Sequence, residues 1–285
     1  ISACLVGSEM CIRDRCRHVF HCGALVSDWA TAREIKRINV AGTRNVLEAA
    51  VAASVKRFVH FSSTDVYGYP GAPGIDETHV ATRFSNWYAQ TKLSAEAEVR
   101  RVGQAHAMEV VLLRPATVYG PGSVDVVGEI ARAIRGGNML LIDRGRAVAG
   151  LCYVQNLIDA AILAWRHEAA PGQAFNITDG LDVTWQQFTA ALAEGLGASR
   201  VRWSLPYPVA HTLGLGLESG YRLLRATTRL SLPPLLSRQA VQVMGRDQDF
   251  SHHKARELLG WEPRIDYATG LEQTLAWLRE EHLVS

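Results

Sequence analysis

The stretch "VKRFVHFSSTDVYG" (Val55–Gly68), with "YAQTK" (Tyr88–Lys92) beginning 20 residues after it, decides how the chain is read. Val55–Ser63 has the short, apolar, aromatic and β-branched make-up of a buried strand, and it ends in a hydroxyl cluster, Ser62, Ser63 and Thr64. Tyr88 and Lys92 stand four residues apart, so a helix places both side chains on one face. A phenol with a pKa of about 10 is a poor base at neutral pH, and an ammonium close to it favours the phenolate. Such a pair can shuttle a proton. Ser63, at the carboxyl end of a strand, can hold the same substrate oxygen while hydride moves at the adjacent carbon. The register within the hydroxyl cluster is open by one position, so Ser62 and Thr64 stay alternatives to Ser63.

Outward from this stretch the pattern repeats. "HVFHCGAL" from His18 and "MEVVLLRP" from Met108 also read as buried strands. Between the first two strands "NVAGTRNVLEAAVAASV" has Val40, Val46, Leu47, Ala50 and Val51 at helical spacing. Between the second and third, Trp87–Gln104 is rich in helix formers and carries Glu96 and Arg100 as an i, i+4 pair. Strand, helix, strand, helix, strand is the signature of a parallel sheet covered by helices. Beyond Gly120 the regularity weakens into a second lobe, with strands at "NMLLID", "AGLCYV" and "AFNIT". Its helices are expected at "PGSVDVVGEIARAIRGG", "QNLIDAAILAWRH", "TWQQFTAALAEGLG" with Thr184 as N-cap, and "SHHKARELLG" stopping at Gly260. The apolar run 205–236, closed by Pro233 and Pro234, reads as a lid helix packed on the core or as a greasy wall facing an apolar substrate or a membrane surface.

Composition narrows the classes. The chain has 285 residues, 30 basic and 28 acidic, a formal charge of +2 that supplies no field for nucleic acid, so the partner expected is a small molecule. Five cysteines without Cys-x-x-Cys spacing indicate neither a disulfide framework nor a metal site, and point to a reducing, cytoplasmic setting. His18 and His21 fall on opposite faces of a strand and cannot share a metal. Trp29, Trp87 and Trp203 fit either a pocket lining or, by default, the core, and the Gly-Pro-Gly at Gly120–Gly122 reads as a turn needing unusual backbone angles.

Together these motifs resemble the extended short-chain dehydrogenase/reductase family, which includes nucleotide-sugar epimerases and dehydratases. "VFHCGA", "NVAGTRNVLEAA", "SSTDVYG", "YAQTK", "LRPATVYGPG", "YVQNLIDA" and "FSHHKARELLGWEP" carry the likeness, from His18 to Leu278. It implies a Rossmann-like doubly wound α/β fold with a smaller C-terminal substrate lobe, divided as 18–138 and 139–285 and interleaved. It also implies NAD or NADP as cofactor, Tyr88 as acid/base, Lys92 as its tuner and ribose contact, and Ser63 as partner of the substrate oxygen. Cys22, Gly23 and Ala24 would pass beneath the cofactor with Asn39 beside it, and Ser62 and Pro115 would line its site. A homodimer is a family expectation. "VSDWA", "SLPYPVAHTLG" and "LPPLLS" look most like the 3β-hydroxysteroid and sterol dehydrogenase branch. Sugar-nucleotide epimerases share the other motifs, and Arg132, Arg135, Arg144 and Arg146 could then meet a diphosphate, although solvated surface charge explains them as well. A degenerate, non-catalytic binding module is the third reading.

The family opens with a strand, a glycine-rich turn and a helix that holds the pyrophosphate. Residues 1–17 show no such turn and read as a non-native leader, so that three strands are expected to be missing from the sheet. The "HVFHCGAL" strand would then be an open apolar edge, and the chain would bind cofactor poorly.

Overall fold

The computed structural model describes residues 16–27, 29–81, 84, 86–227 and 237–281, and only the backbone at 222–227. The leader reading therefore lies outside the described residues except at Cys16 and Arg17. In chain order the elements are β1 (His18–His21), α1 (Ala32–Lys36), a π-helical turn (Arg37–Gly42), α2 (Thr43–Ala52), β2 (Arg57–Phe61), a 3-10 turn (Thr64–Tyr67) and α3 (Trp87–His106). Then come β3 (Glu109–Pro115), β4 (Thr117–Tyr119), a π-helical turn (Val124–Gly128), α4 (Glu129–Arg135), β5 (Leu140–Ile142), a 3-10 turn (Asp143–Gly145), β6 (Leu151–Tyr153) and α5 (Val154–Arg166). The chain continues through β7 (Ala174–Ile177), α6 (Trp185–Gly195), β8 (Trp203–Leu205), α7 (Tyr207–Thr227), α8 (Arg238–Gly245), α9 (His253–Leu259) and α10 (Tyr267–Glu280).

Four strands form a parallel sheet in the order β1-β2-β3-β7, with Phe20 opposite Val59, Val59 opposite Val111 and Leu113 opposite Phe175. This is the expected α/β architecture. One face packs α2 and α3 through Leu47, Phe58, Val99, Val102 and Leu112. The other packs α5 and α9 through Val59, Val111, Leu113, Ala160, Phe175 and Trp261. Each such side chain removed from water contributes about 1.5–3 kcal/mol. Arg57 closes the far side of the sheet: its guanidinium pairs with Glu109 at 2.7 Å and donates to the carbonyls of Ala164, Trp165 and His167 at the end of α5. A cation there complements the negative end of that helix.

A second apolar cluster joins the two-stranded β4–β6 pair to α4, α6 and α10, around Tyr119, Tyr153, Trp185, Phe188 and Leu278. Helix α6 starts where expected, with Thr184 and Gln187 forming a reciprocal capping box. Gly260 ends α9 in the left-handed region, φ 63°. In the Gly-Pro-Gly turn Gly120 has φ 129°, and a Cβ there would meet Val154 Cγ1 at 2.6 Å. No side chain fits.

Several expectations are corrected. β1 stops at His21 instead of running to Leu25, because Cys22–Ser27 leaves the sheet and is held elsewhere, by Asn39. The first crossover helix is interrupted by the π-helical turn. Glu96 does not pair with Arg100. It is buried against Arg114 on β3, and Arg100 donates to the carbonyl of Gly172. Of the three tryptophans assigned to the core, Trp203 is 70% exposed, Trp87 lies 5.3 Å under the Lys36 ammonium and Trp29 meets Tyr221 edge-on, while Trp185 and Trp261 take the core positions. His18 and His21 do face apart, His18 to Trp165 and His21 to His60. No helix of the described residues is long and apolar enough to cross a membrane.

Candidate active site

The carboxyl ends of β1, β2 and β3 open on one crevice, the place where open parallel sheets bind ligands. β2 delivers Ser62, whose N–H donates to Leu113 O at 2.7 Å, and the chain then turns into the 3-10 segment capped by Ser63. The Ser63 hydroxyl accepts from the Asp65 N–H at 3.1 Å and stands close enough to the Tyr88 phenol to pull its pKa down. Tyr88 lies in the first turn of α3, where the Asn86 side chain caps the helix by accepting from Ala89 N–H at 2.7 Å. One turn on, Lys92 donates from Nζ to Phe61 O at 2.8 Å, and this nitrogen sits 5.7 Å from the Tyr88 ring centroid. Ser63, Tyr88 and Lys92 are thus brought together, with Ser62 and Thr64 on either side of Ser63 along the same cavity wall.

The electrostatics differ from the sequence expectation. Burial, then the nearby Asp65 carboxylate, push the phenol of Tyr88 above its ordinary value, and only the Ser63 hydrogen bond opposes them. Burial draws Lys92 down to about 8, against the pull of Cys22, Asp65 and Glu96. Burial and Asp65 thus oppose the acidification of the phenol that the Tyr88–Lys92 spacing suggests.

Asn39, buried in the π-helical turn, takes the Leu25 N–H on Oδ1 at 2.7 Å and donates to Leu25 O and to Thr91 Oγ1. Its side chain staples the loop after β1 to α3. Cys22 and Gly23 are exposed at the crevice edge, Ala24 is half-buried, and Pro115 lines the cavity described next. The nicotinamide and ribose end of a dinucleotide fits these residues: Ser62 Oγ lacks a partner, and Lys92 makes one hydrogen bond with three protons to give. For the pyrophosphate, no helix N-terminus preceded by a glycine-rich turn meets the crevice among the described residues. Gly68, Gly71 and Gly74 have the spacing, all with positive φ, but lead into the Ile75–Phe250 bridge and not into a helix.

A cavity of about 450 Å³ opens beside Tyr88. Its walls are largely apolar, with Val26, Val118, Val124, Val154, Trp185 and Val243, and no Lys, Arg or His lines it among the described residues. Most of its polar side chains are already engaged: Thr117 donates to Ala149 O, Ser123 to Val118 O, and Trp185 to Val243 O. Asp65 sits at the polar end and accepts from Gln239 Nε2 at 3.3 Å. Sequence reading missed both. Asp65 lay inside the quoted motif without a role, and Gln239, 174 residues away, carries no local signal.

A second polar assembly supports the site from behind. Arg114 holds Glu96 with Nε and Nη2 at 2.9 and 2.7 Å and donates to the Tyr67 hydroxyl at 2.9 Å, and Tyr67 donates to Asn176 Oδ1 at 2.6 Å. It ties the helix of Tyr88 and Lys92 to the turn of Ser63.

Comparison with known proteins agrees with this geometry. Over 261 residues the chain is 32% identical to the 4-hydroxy-2-methyl-3-oxo-4-farnesyl-3,4-dihydroquinoline-1-oxide ketoreductase of Stigmatella aurantiaca, covering 90% of this chain and 76% of that protein. Over 263 residues it is 32% identical to the 3 beta-hydroxysteroid dehydrogenase/Delta 5→4-isomerase of Mycobacterium tuberculosis, covering 90% and 69%. Among solved structures, MoeE5 in complex with UDP-glucuronic acid and NAD superposes with a TM-score of 0.71 at 25% identity, over 93% of this chain and 80% of that one. A family model described as the NAD dependent epimerase/dehydratase family matches residues 8–178. The strand-end serine, the Tyr88–Lys92 helix and this match over more than half the length lead to one conclusion: the chain belongs to the NAD dependent epimerase/dehydratase family of enzymes, the extended short-chain dehydrogenases/reductases.

Proposed function

We propose that this chain is an NAD(P)-dependent oxidoreductase that interconverts a ketone and a secondary alcohol on an apolar, hydroxysteroid-like substrate. The observation that carries this reading is the cavity beside Tyr88, walled by valines and Trp185 and lined by no cation among the described residues. A substrate with one polar, reacting end and an apolar body fits such a lining, and its burial drives binding. The named activities of the ketoreductase and hydroxysteroid dehydrogenase relatives support it.

The cofactor supplies or accepts the hydride. The chain's own residues handle the oxygen and the proton. Ser63 hydrogen-bonds the carbonyl oxygen and holds it against Tyr88. The phenol, kept protonated by burial and by Asp65, gives its proton to that oxygen as charge builds there. Lys92, fixed on Phe61 O, would have its remaining protons to offer the ribose of a bound cofactor. In the reverse direction the same phenolate takes the proton from the alcohol as hydride leaves the carbon.

Sugar-nucleotide epimerisation, the other reading, needs cations for a diphosphate. Arg132, Arg135, Arg144 and Arg146 all stay off the cavity lining; Arg132 pairs with Glu129, and Arg135 and Arg146 donate to the carbonyls of Leu196 and Asp143. Nicotinamide absorbance separates the two. Net oxidation of the reduced cofactor by an apolar cyclic ketone is expected, cut by roughly a hundredfold or more in Tyr88→Phe. Conversion of a UDP-sugar without net absorbance change, and no turnover of the ketone, would refute the proposal.

A further inference from the structure

One amide on the cavity wall has an acceptor that the protein itself does not use. Gln248 follows α8 by three residues, lines the cavity beside Tyr88 and is 4% exposed. Its Nε2 donates to the carbonyl oxygen of Arg246 at 3.0 Å. A carbonyl only accepts, so this bond fixes which way the amide faces, with the NH2 group on Arg246 and Oε1 directed away from it. Oε1 takes no hydrogen bond from any described residue, and it is not among the fully enclosed unpartnered atoms, which do include Gln239 Oε1. Some of its surface is therefore open, and the cavity is the space that Gln248 borders. Solvent matches such an acceptor until a ligand fills the cavity. After that, only a ligand with a donor of its own matches it again.

The backbone that carries this amide is held from both lobes. Gln248 N–H donates to Val148 O at 3.0 Å, and a Cβ on Gly150 would meet the Gln248 carbonyl oxygen at 2.4 Å and its Cβ at 2.6 Å. Gly150 is left-handed, φ 59°, so only glycine lets the two segments approach this closely. Gly150 O accepts in turn from Thr117 N–H at 2.7 Å, and Thr117 lines the same cavity. On the other side Asp249 O accepts from Ile75 N–H at 3.0 Å, and Phe250 stacks on Tyr67 beneath the sheet. Gln248 is thus mounted on a fixed support where the second lobe meets the parallel sheet.

We infer that Gln248 is a specificity-determining residue: its Oε1 accepts a hydrogen bond from a hydroxyl on the otherwise apolar body of the substrate, so that the preferred substrate carries a second oxygen function besides the reacting carbonyl. The inference rests on the proposed oxidoreductase reading for the carbonyl, but not for the binding of the hydroxyl. A hydroxyl suits this wall because it donates without charge. Among the described residues the charged side chains of the lining are Asp65 and Asp125, both carboxylates, and they repel an anion. A second carbonyl in the same place only accepts and leaves Oε1 unmatched. A site with a polar group directed at a substrate hydroxyl discriminates against the analogue that lacks it, because the group is then left unpaired.

The test is equilibrium binding by calorimetry, which needs no turnover. The probes are alkan-2-ones of six to twelve carbons and the same ketones with a hydroxyl on the far terminal carbon, titrated into the full chain and into Gln248→Leu. The flexible chain lets the hydroxyl find the amide at whatever distance it lies from the carbonyl site. At one or more lengths the hydroxyketone is expected to bind the parent about tenfold more tightly than its plain partner. In Gln248→Leu the same ratio of affinities is expected to fall to within twofold of unity. A melting scan shows whether that variant is folded, and Gln248→Met serves in its place if it is not. No preference at any length, or a ratio that survives in the variant, would overturn the inference. Turnover of the same ketones with reduced cofactor separates the two readings. A hydroxyl preference without any turnover sinks the oxidoreductase reading and leaves Gln248 standing, whereas turnover without the preference does the reverse.

Discussion

Helices α3 and α7 are nearly equal in length, 20 and 21 residues, yet they meet the rest of the molecule in opposite ways. α3 buries Tyr88, Lys92 and Glu96 along one stripe, and each has a partner: Ser63, Phe61 O and Arg114. α7 buries Ala210, Gly214 and Glu218, and turns Val209, Leu213, Leu215 and Leu217 to the outside, Leu213 being 47% exposed. Its small stripe lets the start of α8 come close: a Cβ on Gly214 would lie 3.4 Å from Arg238 N. The contrast separates two uses of a helix. On α3, buried charge fixes the geometry of a reaction. On α7, apolarity does not predict burial, and the Glu218–Arg238 ion pair and the Ala210–Val241 packing hold the start of α8.

The sharpest way to break the contrast is Glu96→Leu, which leaves the Arg114 guanidinium buried without its counter-charge. A loss of about 3–5 kcal/mol in urea unfolding is expected. The double variant Glu96→Leu/Arg114→Met should recover most of it, because a well-packed apolar pair is often neutral relative to a buried ion pair.

A smaller effect comes from Lys92. Its folded-state value near 8 lies below the ordinary lysine value, so between these the unfolded chain binds more protons than the folded one and stability rises with pH. Below pH 8 both states are protonated and the burial cost is constant. From pH 8 to pH 10 the parent should gain on the order of 2 kcal/mol relative to Lys92→Met. Denaturation midpoints of the two proteins compared at each pH remove the contributions of other groups, and parallel curves would contradict the assignment.

On α7, Glu218→Leu is expected to cost about 1–2 kcal/mol and to loosen α8, read as faster amide exchange across Arg238–Gly245. Smallest of all, Leu213→Ser should shift stability by no more than about 0.5 kcal/mol, since its side chain faces out. A larger loss would mean that the exposed leucine stripe is in fact covered.

Much of the site was legible because its signals are local. A strand ending in serines, a Tyr and a Lys one turn apart, and the Thr184 capping box all depend on neighbours within a few residues. The illegible part depends on partners far along the chain. Glu96 had a plausible local partner in Arg100, but a bidentate guanidinium 18 residues on, inside the core, won over an exposed i, i+4 contact. Gln239 meets Asp65 only because the C-terminal lobe folds back over the sheet. The phenol of Tyr88 is raised for a related reason: burial penalises the phenolate, and Asp65 adds to the penalty. The strand at His18–His21 was visible, but its early end was not, because the hydrogen bonds that take the chain away come from Asn39.

The wide turn Arg37–Gly42 has one more implication. A π-helical turn holds one residue beyond an α-helical turn, and here it brings Asn39 inward to both Leu25 and Thr91. Shortening the segment by a single residue could restore a regular spiral with Thr43–Ala52 still seated on the sheet, while swinging the amide about a quarter-turn aside. Length variation at this spot thus offers evolution a way to unfasten the loop after β1 without disturbing the core.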